Sequence, residues 1–189
     1  MPQADKNSLK QAIRQMLKYI GEDPDRQGLA GTPERVIKSW AEIYGGYGHD
    51  CQEVLTATFS EFGKYDEMIV LSGVDFTSMC EHHMLPFYGT VTVAYVPGTV
   101  VAGISKLARL VELHARRLQI QERMTSDIAM DLEKYLNPAG VAVVIKAKHF
   151  CMTSRGIKKP NVEMITSKLT GIFLTQPQTR QEFFSTYGE

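Results

Sequence analysis

The chain has 189 residues, and its 21 lysines and arginines balance 21 aspartates and glutamates. Zero net charge excludes a global field that draws nucleic acid or a membrane surface, so an anionic partner has to meet a local basic cluster. Three scattered cysteines, a polar N-terminus (MPQADKNSLK) and no apolar run near the roughly 20 residues of a membrane span imply a soluble, cytoplasmic protein with free or metal-bound cysteines.

Residues 8–19 predict a first helix, with Leu9, Ile13, Met16, Leu17 and Ile20 recurring near one face before the turn-rich GEDPDRQGLAG. TPERVIKSWAEIY predicts a second, with Thr32 as N-cap and Pro33 at the first helical position. Arg35 and Lys38 share a face of it, which by spacing alone reads as a solvated basic pair. From residue 54 the pattern turns extended. EMIVLSGVDF and YGTVTVAYVPG are rich in β-branched and aromatic residues and predict two strands.

SKLARLVELHARRLQ then predicts a helix with Leu107, Leu110, Val111 and His114 on one face. IQERMTSDIAMDLEKYLNPAG predicts another, repeating Met124, Ile128, Leu132 and Leu136 and stopping at Asn137-Pro138. VAVVIKAKHFC predicts a strand, SRGIKKPN a loop and VEMITSKLTGIF a last strand. The order is helices, two strands, two helices, two strands, an α+β arrangement. Residues 1–53 form a helical segment and 54–189 the remainder of one structural unit.

Chemistry concentrates in MCEHHM, where Cys80, Glu81, His82 and His83 stand in a row in a chain with five histidines. Cys80 and His83 have a C-x2-H spacing that lets a tight turn aim both at one ion. In KHFC, period-two alternation puts His149 and Cys151 on one strand face with Ile145 and Ala147. Two thiolates and one imidazole suit zinc, and three ligands rather than four leave a position for water. Spacing does not decide between His82 and His83; the spare one becomes a candidate general acid or base. Taken singly, a strand cysteine is ordinarily a small buried hydrophobe, and Cys51 reads that way.

A second set of groups suits an anion: Lys106 and Arg109 on one helical face, Arg155 in a loop with Lys158 and Lys159, and Arg35 with Lys38 upstream. There is no G-x4-G-K-[ST] loop. Gln121 and Glu122 offer an amide and a carboxylate to a base edge with adjacent donors, such as guanine N1 and N2. The plain alternative is an exposed glutamate favoured by the helix dipole.

SMCEHHMLPFYG, GISKLAR, RRLQIQERMT, KHFCMTSRG and TSKLTGIF…TRQEFF, in this order, resemble type I GTP cyclohydrolase from about residue 8 onward. The resemblance implies zinc (Zn2+) held by Cys80, His83 and Cys151, with His82 and His149 as proton-transfer groups. It matches Gln121 and Glu122 to guanine recognition and Ser105 to the serine before the phosphate-binding lysine. Lys106, Arg109 and Arg155 match the triphosphate-binding cations, and Arg35 and Lys38 a pair facing a neighbouring subunit's site. The implied fold is the tunnelling fold over 54–189, an antiparallel sheet with two helices on one face. Its strands join across subunits into a pentameric barrel, and two pentamers stack into a decamer.

The implied reaction turns GTP and water into formate and 7,8-dihydroneopterin triphosphate, at the entry to tetrahydrofolate and related pterins. A deazapurine nitrile reductase of the same fold needs a nucleophilic cysteine, and the complete zinc set argues against it. Two departures stand out. MTSRG replaces the commoner pattern after the second zinc cysteine, which implies altered loop packing rather than altered chemistry. The short N-terminal segment argues against the regulatory arm of animal members.

Overall fold

The protein is described by a computed structural model over residues 5–55, 58–60 and 65–187. The chain opens with α1 (Lys6–Tyr19), which starts two residues before the sequence expectation because Asp5 caps it, accepting from the Asn7 and Ser8 amides. Of its apolar face only Ile13 is buried; Met16, Tyr19 and Ile20 are exposed. In α2 (Thr32–Ile43) the expected cap shifts by one. Gly31 holds the cap position, and Thr32 is already helical, its hydroxyl accepting from Arg35 Nη2 instead of the backbone. A 3-10 turn (Gly45–Gly48) and the short α3 (Cys51–Leu55) follow. Gly46 touches the carbonyls of Leu113 and Arg116 so closely that a Cβ would lie 2.2 Å from the former, so only glycine docks the turn there.

The strands are β1 (Thr58–Phe59), β2 (Ile69–Cys80), β3 (Pro86–Val96) and β4 (Val101–Ala102). After them come α4 (Ile104–Ala115), β5 (Leu118–Gln119), α5 (Gln121–Leu136) and β6 (Gly140–His149). The four-residue α6 (Phe150–Thr153), β7 (Met164–Leu169), α7 (Gly171–Thr175) and α8 (Pro177–Tyr187) complete the described chain. The main sheet has the order β5-β2-β3-β6-β7, antiparallel except for the short parallel pairing of β5 with the end of β2. β3 and β6 pair without a break from Phe87 opposite His149 to Val96 opposite Gly140. β2 carries a bulge between Leu71 and Val74, where Gly73 takes φ +73°.

α4 and α5 cover one face of this sheet. Leu107, Leu110 and Val111 with Met124, Ile128, Leu132 and Leu136 meet Val91, Val93, Tyr95, Val143 and Ile145 in the larger core. Each such side chain contributes about 1.5–3 kcal/mol by leaving water. The alternate residues Ala94, Val96, Ala142 and Val144 face the other way, under Phe173 and Phe183. Those two phenylalanines belong to α7 and α8, which the strand-only reading of the C-terminus did not anticipate. The last strand stops at Leu169 because Gly171 turns left-handed (φ +51°) within 2.1 Å of the Ala139 carbonyl, measured to an added Cβ. α5 ends as expected, with Asn137 left-handed at its C-terminus. No helix among the described residues is long and apolar enough to cross a membrane.

Candidate metal centre and active site

Cys80 is the last residue of β2, and a tight reversal follows it. The Cys80 amide donates to Leu85 O (2.8 Å), the Met84 amide donates to Cys80 O (2.8 Å), and Met84 takes φ +52° to close the loop. This aims His83 back at the strand end, with Nδ1 3.8 Å from Cys80 Sγ. Cys151 arrives from two strands away, because β3 lies between β2 and β6. It sits in α6 rather than on the strand: β6 ends at His149, so the expected period-two face stops there and a helical turn swings Cys151 inward. The donor atoms of Cys80, His83 and Cys151 lie within 4.8 Å of one another.

This donor set fits a zinc-like ion. Burial pushes the Cys151 thiol up, and the adjacent Cys80 sulfur pushes further, so two thiols packed together resist sharing negative charge until a cation joins them. Arg155, four residues beyond Cys151, is close enough for its charge to oppose that rise.

His149 stands beside the cluster, its ring stacked on Phe87 at 4.6 Å and within 2° of parallel. Its Nε2 lies 2.8 Å from Gln121 Oε1. The orientation of that amide is fixed, since Gln121 Nε2 donates to the Ile145 and Met164 carbonyls, both at 3.0 Å, and to Thr166 Oγ1. Gln121 Oε1 therefore accepts, His149 Nε2 carries a proton, and Nδ1 holds the lone pair of the neutral ring. Burial depresses the His149 pKa below the ordinary imidazole range, against the opposing pull of Glu122, so the ring is neutral at pH 7.

A sequence profile described as GTP cyclohydrolase I matches residues 9–188. The chain belongs to the GTP cyclohydrolase I family. It is 52% identical over 180 residues to a GTP cyclohydrolase 1 of Rickettsia bellii, covering 95% of this chain and 94% of that one. A GTP cyclohydrolase 1 of Wolinella succinogenes is 50% identical over 178 residues, 94% of this chain and 95% of the other. Among solved structures, an apo archaeosine synthase QueF-Like aligns with a TM-score of 0.46 and 22% identity, over 57% of this chain and 97% of that one. Membership makes the chain an enzyme of the GTP cyclohydrolase I class.

Of the residues the family resemblance singles out, Cys80, His83, Cys151, His149, Gln121 and Arg155 converge within one chain. His82 lies in the same loop after β2 and is exposed, its ring 6.3 Å from that of His83. Glu122 is exposed in the first turn of α5 rather than buried. Gln121 was expected to present its amide to a base; that amide is 1% exposed residue surface with every polar atom engaged inside the chain. Ser105, Lys106 and Arg109 stand apart. They open α4, whose Ile104 and Leu107 line a cavity with Ile69–Leu71 at the far end of β2, roughly 35 Å along that twelve-residue strand from Cys80. Arg35 and Lys38 are exposed on α2, with Arg35 also donating to Gly28 O.

Sequence reasoning left Glu81 without a role. Its carboxylate pairs with Arg123 Nη2, and its amide donates to Gln119 O at 3.0 Å. Arg123 also donates to Gln119 Oε1 and Leu118 O. Together with the β5 pairing, these bonds clamp the loop after Cys80 to the segment that starts α5. The opposite charges at 81 and 123 were visible in the sequence, but nothing in it set them side by side.

Proposed function

We propose that this chain converts GTP and water to formate and 7,8-dihydroneopterin triphosphate, with Zn2+ held by Cys80, His83 and Cys151. The observation that carries this reading is the convergence of those three donors beside a neutral His149 in a member of the GTP cyclohydrolase I family. Bound there, zinc supplies Lewis acidity that makes water a nucleophile near neutral pH. The chain's own residues do the rest. His149 Nδ1 takes a proton from water as it adds to C8 of the guanine, and His82, on the open side of the loop, delivers protons as the imidazole ring opens and formate leaves.

Glu122 accepts from guanine N1–H and N2–H, while Gln121 holds the His149 tautomer. The triphosphate, held by Arg155 and by Ser105, Lys106, Arg109, Arg35 and Lys38, supplies remote binding energy for orientation. The last five reach the site from neighbouring subunits of a homo-oligomer, a decamer of two pentamers. Two features support assembly: among the described residues β7 and most of β2 are open sheet edges, and α1 leaves Met16, Tyr19 and Ile20 exposed.

The test measures formate release from GTP, and fluorescent pterin after oxidation, with metal content determined on the same preparation. About one site-bound zinc per chain at this centre, with turnover abolished in a Cys151→Ala protein that keeps its oligomeric state, supports the reading. Full turnover from metal-stripped protein overturns it.

A further inference from the structure

A second cluster of metal-ligating side chains lies in the helical layer, away from the site described above. Cys51 opens α3, His114 lies near the end of α4 and Asp131 on α5; their donor atoms also fall within 4.8 Å of one another. His114 is 2% exposed, with Nε2 2.8 Å from Asp131 Oδ2 and 3.7 Å from Cys51 Sγ. All three face a cavity of about 580 Å³ that Asp50, Asp127 and Arg117 also line. None of them takes part in the chemistry proposed above.

We propose that Cys51, His114 and Asp131 form a second, structural site for a zinc-like divalent cation, which ties α3 to α4 and α5. The geometry comes first. A tetrahedral ion with bonds of about 2.3 Å to sulfur and 2.0 Å to nitrogen sets those atoms about 3.5 Å apart, and the Cys51–His114 separation of 3.7 Å is close to that. It also matches the 3.8 Å between Cys80 and His83 in the first cluster. Asp131 withdraws by about half an ångström to exchange its hydrogen bond for a metal bond. Its side chain is 22% exposed, so it has room to do so.

Charge and protonation agree. A Cys51 thiolate and the Asp131 carboxylate together neutralise a dication, and a mixed S, N, O set is one zinc accepts. His114 Nδ1 has no hydrogen-bond partner among the described residues, so nothing locks the ring in the tautomer that bonds Asp131. On binding, Nε2 becomes the ligand, the ring proton resides on Nδ1, and the thiol proton leaves for solvent, one proton per ion. The rival role for this thiol, a nucleophile, fails on its environment: burial, with Asp131 beside it, pushes it up to about 11.

The test titrates chelator-stripped, full-length protein with Co2+ under anaerobic conditions. It follows the sulfur-to-metal absorption band, proton release and the metal retained after gel filtration. Wild type is expected to hold two ions per chain, Cys151→Ser and Cys51→Ser one each, and the double variant none. Asp131→Asn is expected to weaken the second ion at least tenfold while leaving the first in place, and it carries the test if Cys51→Ser fails to fold. Wild type that saturates at one ion which Cys51→Ser leaves in place, or a second ion that survives both Cys51→Ser and Asp131→Asn, overturns the proposal. Because the readout is metal occupancy, loss of the Cys80 site and loss of this one are told apart by which variant removes which equivalent.

Discussion

His149 Nε2 donates to Gln121 Oε1 across 2.8 Å, and that one bond decides which imidazole nitrogen carries the proton and which is free to accept one. Gln121 comes from the start of α5 and His149 from the end of β6, so the tautomer is set by how a helix N-terminus docks on a strand end.

Replacing Gln121 with glutamate tests this directly. A carboxylate facing Nε2–H favours the charged imidazolium and raises the His149 pKa. The active form is the neutral ring, whose pKa burial holds below the usual value of about 6.5. Wild-type kcat is therefore expected to stay flat down to pH values below 6.5, whereas Gln121→Glu loses rate as pH falls from a higher starting point. A pH–rate profile with an unmoved acidic limb in Gln121→Glu sinks the assignment.

Truncation to Gln121→Ala removes the anchor altogether. The expected cost is about 10²-fold in kcat, the lower end of what a positioned proton-transfer group supplies, with little change in KM for GTP. A variant that instead raises KM and keeps kcat would mark Gln121 as a direct contact to the base. Thermal unfolding should fall as well, since the Ile145 and Met164 carbonyls each lose a donor, at about 1–3 kcal/mol for a buried group left unpaired.

The Glu81–Arg123 pair lies on the surface beside the metal loop, where an ion pair adds little to stability. Its expected effect is on geometry. Arg123→Ala removes the side-chain bridge from Glu81 to Gln119 and Leu118 while the backbone pairing stays, and metal affinity is expected to drop by about tenfold, as it commonly does when an outer partner of a metal site is removed. The unfolding midpoint should scarcely move. The Arg123 hydrogen bond holds the Glu81 carboxyl below the usual carboxylate range, so this contribution is present above about pH 4.5 and lost only as pH falls through the folded value. Competition with a chelating dye at pH 5, 6 and 7, all above that range, is expected to show the same drop at each pH, and an affinity equal to wild type removes the positioning role.

Leu132 shows what sequence could tell. The repeat Met124, Ile128, Leu132, Leu136 announced a buried stripe, and all four are at most 1% exposed against the sheet. Leu132→Ala is accordingly expected to cost about 2–5 kcal/mol, read from urea unfolding. Local periodicity and cap chemistry suffice for such elements. The pairing of Cys80 with His83 was legible for a similar reason, because the two share a turn. What stayed hidden depends on contacts between distant segments. Gln121 is held by Ile145, Met164 and Thr166, and Cys51 meets His114 across 63 residues, so neither role has a signature at its own position. The helical swing at Phe150 was hidden too, since a strand pattern running into His149 gives no sign that it stops there.

The separation of the α4 cations from the metal cluster yields the sharpest test of assembly. Within one chain Lys106 opens α4 at one end of β2, and Cys151 lies by the other. If the triphosphate end of a site is supplied by a neighbour, two inactive chains can repair each other. Cys151→Ala lacks the metal cluster but offers an intact Lys106, and Lys106→Ala does the reverse. Equal amounts of the two, unfolded together and refolded with zinc, should regain activity at about a quarter of wild-type sites, the chance that random pairing sets an intact cluster against an intact Lys106. Each variant refolded alone, or the two mixed after folding, should remain inactive. Formate release that stays at background in the co-refolded sample, with the oligomer intact and each variant inactive alone, would mean that each site takes its cluster and its Lys106 from the same chain.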